Sequence, residues 1–264
     1  MSLLNGKKGL VLGVANDHSI AWGIADAAAR AGASLAFTYQ TDSFEKRVRP
    51  LAESAGADII TPCDVVDDAS LDAVFAEIGE KWGGLDFVVH SVAYSDKNEL
   101  TGAYSDTSRE NFLRSLDISC YSFTAIARRA AALMENGGSL ITLTYSGAER
   151  VMPNYNVMGV AKAALEASVR YLAADLGPKS IRVNAISAGP MRTLAGSAVG
   201  GAREVYKWNA EYSPLRRNTL LDDVGGAGLY LLSDLSAGVS GEIMHVDSGF
   251  NVVGVPDLLR HRKE

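Results

Sequence analysis

The sequence has little cysteine. Cys63 and Cys120 are the two cysteines among 264 residues, and they form neither a CxxC pair nor the spacing of a disulfide framework. Small proteins of oxidising compartments, by contrast, use cysteine for cross-links. We therefore expect a cytoplasmic protein in which both thiols are small interior side chains.

Long apolar runs are also missing. No stretch approaches the roughly 18 apolar residues that a membrane-spanning helix needs. The first eight residues lack the charged and apolar segments of a cleavable leader. We expect no membrane partner.

A surplus of positive charge is absent too. The formal net charge is −6, which argues against a nucleic-acid role because no basic excess is available to neutralise phosphates. The four histidines, His18, His90, His245 and His261, show no metal-ligand spacing such as HExxH. We expect no metal site.

The chain does contain short β-rich apolar runs that alternate with longer helical patterns. The intervening segments are long enough for right-handed crossovers between parallel strands. This pattern predicts the α/β class: a single doubly wound Rossmann-type domain over residues 1–264, with a seven-stranded parallel sheet and ligands beyond the carboxyl ends of the strands. The predicted strands are Gly9–Val14, Ser34–Tyr39, Asp58–Pro62, Leu85–His90, Ser139–Leu143, Ile181–Ile186 and Glu242–Val246.

A glycine-spaced turn follows the first predicted strand. Gly13 would let the backbone turn sharply, and Ser19 would cap the next helix while offering its hydroxyl to a phosphate. Gly23 would let that helix, placed at Ile24–Ala31 and stopped by Gly32, pack closely on the sheet. The helix N-terminus would then face the pyrophosphate of a dinucleotide. Taken alone, such glycines are equally typical of ordinary turns.

The ends of the next three strands carry residues where the adenosine and nicotinamide halves of a dinucleotide would lie. They are Gln40 and Asp42 after the second strand, Asp64 and Val65 after the third, and Ser91, Val92 and Ala93 after the fourth. Neither Arg nor Lys stands between the second strand and Lys46 to hold a 2′-phosphate. We therefore predict NADH rather than NADPH.

Two tyrosines and a lysine follow the fifth strand. Tyr145 stands at its end, and Tyr155 and Lys162 are seven residues apart in a helical pattern. Seven residues at about 100° each return to nearly the same helix face, about 10 Å along the axis. The phenol and the ammonium could thus address two parts of one cofactor. A core tyrosine, a solvated lysine and packing of Tyr145 at a strand end are the structural alternatives.

From about Lys7 to Val253 the chain resembles the enoyl-acyl-carrier-protein reductase branch of the short-chain dehydrogenase/reductase superfamily. The most specific pieces are Ser19-Ile20-Ala21, Tyr145, the Tyr155-x6-Lys162 pair and the run from Asn184 to Leu194. The resemblance implies reduction of the trans-2 double bond of an enoyl thioester carried by acyl-carrier protein, in a homotetramer. Tyr155 would donate to the thioester oxygen. Lys162 would hold the nicotinamide ribose and favour the ionised phenol, and Tyr145 would assist orientation or proton supply.

Together these predictions define the residues of the candidate site. The catalytic residues are Tyr145, Tyr155 and Lys162. The cofactor-binding residues are Gly13, Ser19, Ile20, Gln40, Asp64, Val65, Ser91, Val92, Ala93, Lys162, Pro190, Met191, Thr193, Leu194 and Ala195. The substrate-binding residues are Tyr94, Ser95, Tyr145 and Tyr155.

Three other functions fit the sequence less well. A carbonyl reductase of the same superfamily would carry Tyr-x3-Lys and a serine on the fifth strand, whereas Gly159 is four residues after Tyr155 and Tyr145 stands in the place of the serine. A sensor or scaffold could bind NADH on the same fold, but both tyrosines and Lys162 count against it. A hydrolase lacks its GxSxG elbow.

A small, glycine-rich segment over residues 195–204 precedes bulkier residues up to 212. We predict a mobile substrate lid around 193–212. Arg203 and Lys207 would share one face of a helix there and attract the acidic carrier protein. An ordinary mobile loop and a solvated surface pair are the alternatives.

Overall fold

Seven parallel strands form one sheet in the order β3-β2-β1-β4-β5-β6-β7. The computed structural model describes residues 2–197 and 199–255. The strand order reverses direction between β1 and β4, which is where a doubly wound sheet opens a crevice for ligands. The strands are β1 Lys8–Leu12, β2 Ser34–Tyr39, β3 Ile59–Pro62, β4 Phe87–His90, β5 Gly138–Thr144, β6 Ile181–Ala188 and β7 Ile243–Val246.

Helices cover both faces of this sheet, so its strands are apolar on both sides. In β1, for example, Leu10 and Leu12 pack with one helical layer, and Val11 packs with the other. The layers contain α3, α5 and α6 on one face and α1, α2 and α9 on the opposite face, which confirms the predicted fold class. The helices are α1 Ile20–Arg30, α2 Asp42–Ser54, α3 Asp68–Trp82, α4 Arg109–Leu116, α5 Ser122–Leu133, α6 Asn156–Leu176, α7 Leu194–Ser197, α8 Ala202–Tyr212 and α9 Leu221–Leu232.

The strand boundaries differ from the predicted ones by at most two residues. β1 ends at Leu12, not at Val14, because Gly13 adopts φ +93° and turns the chain out of the sheet. β6 continues to Ala188 because Ser187 and Ala188 still pair with His245 and Val246 of β7. Tertiary pairing therefore fixes where these strands end.

The first helix begins at Ile20, four residues before the predicted start, and its close contact is with α9. A Cβ built on Gly225 would lie 2.7 Å from the carbonyl oxygen of Gly23, and a Cβ on Gly23 would lie 3.0 Å from the carbonyl oxygen of Leu221. The prediction that Gly23 packs α1 against the sheet is therefore wrong. Gly23 lets the backbones of two helices approach each other.

Adjacent glycines of α9 provide a test of this crossing. Gly225→Ala should lower the free energy of unfolding by about 1–3 kcal/mol, because the new methyl group meets backbone that must move. Gly226→Ala should raise it by about 0.5–1 kcal/mol, because a Cβ there meets no atom within 4 Å and alanine favours helix. Urea unfolding at matched protein concentration measures both variants. Equal effects of the two substitutions would show that the crossing is not tight.

Candidate functional site

One large cavity, of about 1560 Å³, runs along the carboxyl ends of the strands. Loops after β1 to β6 and helix α8 form its wall. Ala195 lies in α7 with its side chain outside the described part of the structure. The other predicted site residues all line the cavity: Gly13, Ser19, Ile20, Gln40, Asp64, Val65, Ser91, Val92, Ala93, Tyr94, Ser95, Tyr145, Tyr155, Lys162, Pro190, Met191, Thr193 and Leu194.

The turn after β1 brings the chain close to the end of β4. A Cβ on Gly13 would lie 2.0 Å from the carbonyl oxygen of Ser91, so only glycine fits there. Ser19 precedes α1, but its hydroxyl makes no cap bond to the helix. The oxygen instead accepts from the amides of Ala15 at 3.0 Å and Asn16 at 3.1 Å. Ser19 is thus the N-cap residue of α1, as predicted, but the expected cap bond from its hydroxyl is absent: the hydroxyl holds the preceding loop.

This geometry presents the N-terminus of α1 to the cavity through Ser19 and Ile20. The first N–H groups of a helix lack partners within the helix and favour anions. Such donors suit the diphosphate of a dinucleotide. The local donor set therefore fits the predicted cofactor.

The end of the cavity beside β2 and β3 is enclosed by Gln40, as predicted, whereas exposed Asp42 begins α2 and does not line the wall. The cationic side chains that line the cavity within the described residues stand on its other walls: Arg114, Lys162, Arg192, Arg203 and Lys207. The described residues that line this end, Gln40 among them, therefore include no cation that could hold a 2′-phosphate.

Several side chains that line this end were not predicted from the sequence. They lie at strand ends and in the first turn of α2, where an apolar residue is as typical of the hydrophobic core as of a cavity wall. Burial raises the pKa of the Cys63 thiol to about 11, so it remains a neutral interior group at physiological pH. The missed residues are Thr38, Tyr39, Phe44 and Cys63.

Lys162 is buried at the opposite end of the cavity, with 6% of its surface exposed. Its Nζ donates to the carbonyl oxygen of Leu143 at 2.7 Å. The structure therefore rules out a solvated surface lysine. Burial lowers the pKa of Lys162 to about 8, although the nearby Cys120 and Glu166 act in the opposite direction.

A buried carboxylate that the sequence analysis missed lies one helical turn after this lysine. Glu166 accepts a hydrogen bond from Thr144 Oγ1 at 2.7 Å. Burial raises the pKa of Glu166. A glutamate four residues after Lys162 on a mostly apolar helix was the available signal, because charged residues are seldom buried without a partner.

The two tyrosines face each other edge to face, with ring centroids 5.2 Å apart. Tyr155 stands directly before α6, and Tyr145 directly follows β5. Burial, then the neighbouring Tyr145 and Glu166, raise the pKa of Tyr155. The expectation that Lys162 favours the ionised phenol is therefore wrong, because burial dominates. Tyr155 is a neutral hydrogen-bond donor.

A π-helical turn at 117–121 supports the predicted substrate loop. Ser119 Oγ accepts from the amide of Tyr94 at 3.0 Å and donates to its carbonyl oxygen at 3.1 Å. Asn111 Oδ1 accepts from the Asp96 amide at 2.9 Å, and the Arg114 guanidinium lies 4.7 Å from the centre of the Tyr94 ring. These contacts hold the loop after β4 in one position.

His90 anchors the strand end beneath this loop and is completely buried. Its Nε2 lies 2.8 Å from Ser122 Oγ, which itself donates to the carbonyl oxygen of Ile118 at 2.6 Å. Ser122 therefore accepts from Nε2–H, and Nδ1 accepts from Thr142 Oγ1 at 2.9 Å. Burial and, to a smaller extent, the nearby Lys162 lower the pKa of His90 to about 3. His90 is thus a neutral structural residue.

Helix α8 covers the cavity beside the loop after β6. Arg203 and Lys207 lie on it and line the cavity, and the helix that their spacing required is present. The Arg192 guanidinium lies 4.7 Å from the ring centre of Tyr206, which joins this loop to α8. Thr193 Oγ1 accepts from the amide of Gly196 at 2.9 Å and keeps its own proton for donation.

Among the described residues, no helix is both long and apolar enough to cross a membrane. Nor does that part of the chain contain a group of three or more His, Cys, Asp or Glu side chains that could hold a metal ion. His261 lies outside the described residues.

Cofactor selection can be tested at the β2 end of the cavity. Gln40→Arg should raise the ratio of NADPH to NADH efficiency at least about tenfold, because a charge-assisted bond to the 2′-phosphate contributes about 1.5–3 kcal/mol. Asp42→Arg, outside the cavity wall, should change that ratio less. Initial rates with each nucleotide measure the effect. If Gln40→Arg left the ratio of NADPH to NADH efficiency unchanged, the adenosine ribose would not bind beside Gln40.

The lowered pKa of Lys162 predicts a pH dependence of NADH binding. Below pH 8 the ammonium offers a positive charge and three N–H donors; as the pH rises through about 8, deprotonation removes the charge and one of the donors. The dissociation constant of NADH should therefore rise above that pH. In Lys162→Met the dissociation constant should be higher by about tenfold or more, as expected for a lost charged hydrogen bond, and it should not depend on pH. Fluorescence titration between about pH 6.5 and 9.5 makes the comparison, and the same pH dependence in both proteins would exclude Lys162.

Comparison with known proteins agrees with this geometry. The family model described as enoyl-(acyl carrier protein) reductase matches residues 13–251. The chain is 62% identical to enoyl-[acyl-carrier-protein] reductase [NADH] 2 of Rhizobium meliloti (strain 1021), over 97% of this chain and 96% of the relative.

Solved structures show the same relationship. A reductase of this name from Anaplasma phagocytophilum, in complex with NAD, is 62% identical with a TM-score of 0.94, over 97% of this chain and 98% of the other. The Bacillus cereus enoyl-acyl carrier protein reductase, with NADP+ and an indole naphthyridinone, is 49% identical with a TM-score of 0.94, over 97% and 100% of the two chains. The chain belongs to the enoyl-(acyl carrier protein) reductase family.

Proposed function

We propose that this protein reduces the trans-2 double bond of enoyl thioesters on acyl-carrier protein, with NADH, in bacterial type II fatty-acid synthesis. The carrying observation is that Tyr145, Tyr155 and Lys162 meet in one cavity at the strand ends. Tyr145 stands where a ketone-reducing relative would use serine, and relatives at 51–62% identity bear the name NADH-dependent enoyl-acyl-carrier-protein reductase. Bound NADH would supply a hydride to the β-carbon of the substrate.

Tyr155 is the proposed donor to the thioester oxygen. Negative charge collects on that oxygen when the β-carbon is reduced, giving an enolate. A neutral phenol with a raised pKa keeps its proton for this hydrogen bond throughout the working pH range. A preorganised donor in a buried site can lower the barrier by a few kcal/mol. Protonation at the α-carbon then completes the reaction.

Lys162 is the proposed organiser of the cofactor. One of its N–H groups is used by the carbonyl oxygen of Leu143, which leaves two donors for the nicotinamide ribose hydroxyls. Tyr145 packs its ring against that of Tyr155 and restricts its orientation. The same cavity wall places Tyr94 and Ser95 for substrate contact.

The proposal extends to the surroundings of the site. Residues 1–264 act as one domain in the cytoplasm, and residues 193–212 act as a mobile lid. Large apolar side chains are exposed on α4, the π-helical turn and α6, three elements that contact one another; this supports association of copies into a homotetramer, because contiguous exposed apolar surface marks interaction sites. The exposed side chains are Leu113 at 60%, Tyr121 at 55% and Tyr171 at 77% exposure. Light scattering after size-exclusion chromatography measures the assembly.

Two thioesters distinguish the proposed reaction from ketone reduction. NADH oxidation, followed by absorbance, should proceed with a short trans-2-enoyl thioester and not with an acetoacetyl thioester. Activity on the acetoacetyl substrate alone would establish the carbonyl-reductase alternative. Tight NADH binding without turnover of either would favour a sensor.

The two tyrosines should have separable effects. Tyr155→Phe should lower turnover by about a hundredfold, the loss expected for one oxyanion donor, with little change in NADH affinity. Tyr145→Phe keeps the ring that packs on Tyr155 and should lose less. Steady-state rates and NADH titration give both quantities. A fully active Tyr155→Phe beside an inactive Tyr145→Phe would reverse the two roles.

The basic pair on α8 is proposed to attract the acidic carrier protein. The double substitution Arg203→Glu and Lys207→Glu should raise the Michaelis constant for carrier-protein substrate, most strongly at low salt, because rim charges govern association. The constant for an N-acetylcysteamine substrate should barely change. Equal losses on both substrates would instead assign the pair to the lid or the fold.

A further inference from the structure

A second, small chamber adjoins the large cavity and is lined by Tyr145 and by residues of α8. Its volume is about 10 Å³, close to the minimum that one water molecule occupies in a protein. The residues that line it include Tyr145, Ser146 and Ser187, which bear hydroxyl groups, and Val205 and Asn209 of α8. The chamber thus lies between the lid and a proposed catalytic tyrosine.

Asn209 brings a buried hydrogen-bond acceptor to this chamber. The residue is 1% exposed, and its Nδ2 donates to Asn218 Oδ1 at 3.2 Å. Its Oδ1 is buried and accepts no hydrogen bond from the described residues. Leaving such an acceptor unpaired costs about 1–3 kcal/mol, and nearly all buried polar side-chain atoms in proteins have a partner.

We propose that the chamber binds one water molecule, which donates to Asn209 Oδ1 and bridges to the hydroxyl groups of the Tyr145 wall. A buried water needs two to four polar partners, and Asn209, Tyr145, Ser146 and Ser187 supply them. A chamber of this volume takes a water but no larger ligand. The water joins α8 to Tyr145, which makes Asn209 a positioning residue for that tyrosine.

The water site rests on geometry alone, whereas its effect on turnover also rests on the proposed function. A high-resolution crystal structure tests the site directly. It should show a water oxygen about 2.8 Å from Asn209 Oδ1. A chamber without density, or an Asn209 amide turned to another protein donor, would overturn the proposal.

A double-mutant cycle of melting temperatures tests the water site in solution and needs no activity assay. Val205→Ile adds one methyl group to the chamber wall and displaces the water, so it should lower the melting temperature while Asn209 is present. In the Asn209→Leu background the acceptor is gone, and the same methyl group should raise the melting temperature by filling space. An effect of Val205→Ile that does not depend on residue 209 overturns the water site.

Turnover tests the positioning role. Asn209→Leu should lower kcat by about two- to tenfold, the equivalent of one hydrogen bond, with an unchanged Michaelis constant for NADH. Asn218→Leu is the matched control, since it breaks the same Asn209–Asn218 bond but keeps the acceptor for the water, and it should retain kcat. Equal losses of kcat in both variants would show that Asn209 has only a structural role, even if the water is present. Absence of enoyl-thioester turnover in the unmodified protein would instead refute the proposed function and leave the water site standing.

Discussion

The burial of one ammonium group at the carboxyl end of the sheet is the constraint on which the rest of the site depends. Removing a charge from water costs several kcal/mol unless hydrogen bonds and opposite charge compensate it. Lys162 receives that compensation from the carbonyl oxygen of Leu143 and from the field of Glu166. The end of β5 supplies both, because Leu143 offers its carbonyl and Thr144 holds the Glu166 carboxylate.

The titratable neighbours His90 and Tyr155 both stay uncharged. His90 stays neutral because burial, and to a smaller extent Lys162, lower its pKa, and its two ring nitrogens are matched to one donor and one acceptor. Tyr155 stays a neutral donor because burial, Tyr145 and Glu166 all raise its pKa. The same burial that makes Lys162 costly thus keeps a proton on the phenol. An anionic dinucleotide would complete the compensation, with the N-terminus of α1 at its diphosphate.

The sequence predicts the strands well, and also which residues follow them into the site. The reason is that the carboxyl ends of parallel strands lie at one shared edge of the sheet. Gln40, Asp64, Ser91 and Tyr145 lie in one cavity for this reason. The helix spacing likewise brings Tyr155 and Lys162 to the same cavity. Local pattern and parallel topology suffice for such positions.

Local sequence pattern could not predict the features that depend on contacts between segments far apart in the chain. Gly23 contacts Gly225, about two hundred residues away along the chain, and the hydroxyl of Ser19 accepts from two loop amides and not from an amide of α1. Asp42 is exposed at the start of α2 and misses the cavity, whereas Phe44 in the same helical turn lines the wall. The pairing of Glu166 with Thr144, and the buried acceptor of Asn209, likewise required the packed structure.

The most direct test of this account is the titration of Lys162 itself. Lysine labelled with ¹³C at Cε can be followed by NMR in the cofactor-free protein, with Lys162→Met to assign the resonance. The account predicts a pKa of about 8 for this group. A pKa near the ordinary value of 10.5 would show that the ammonium is solvated and would contradict the account.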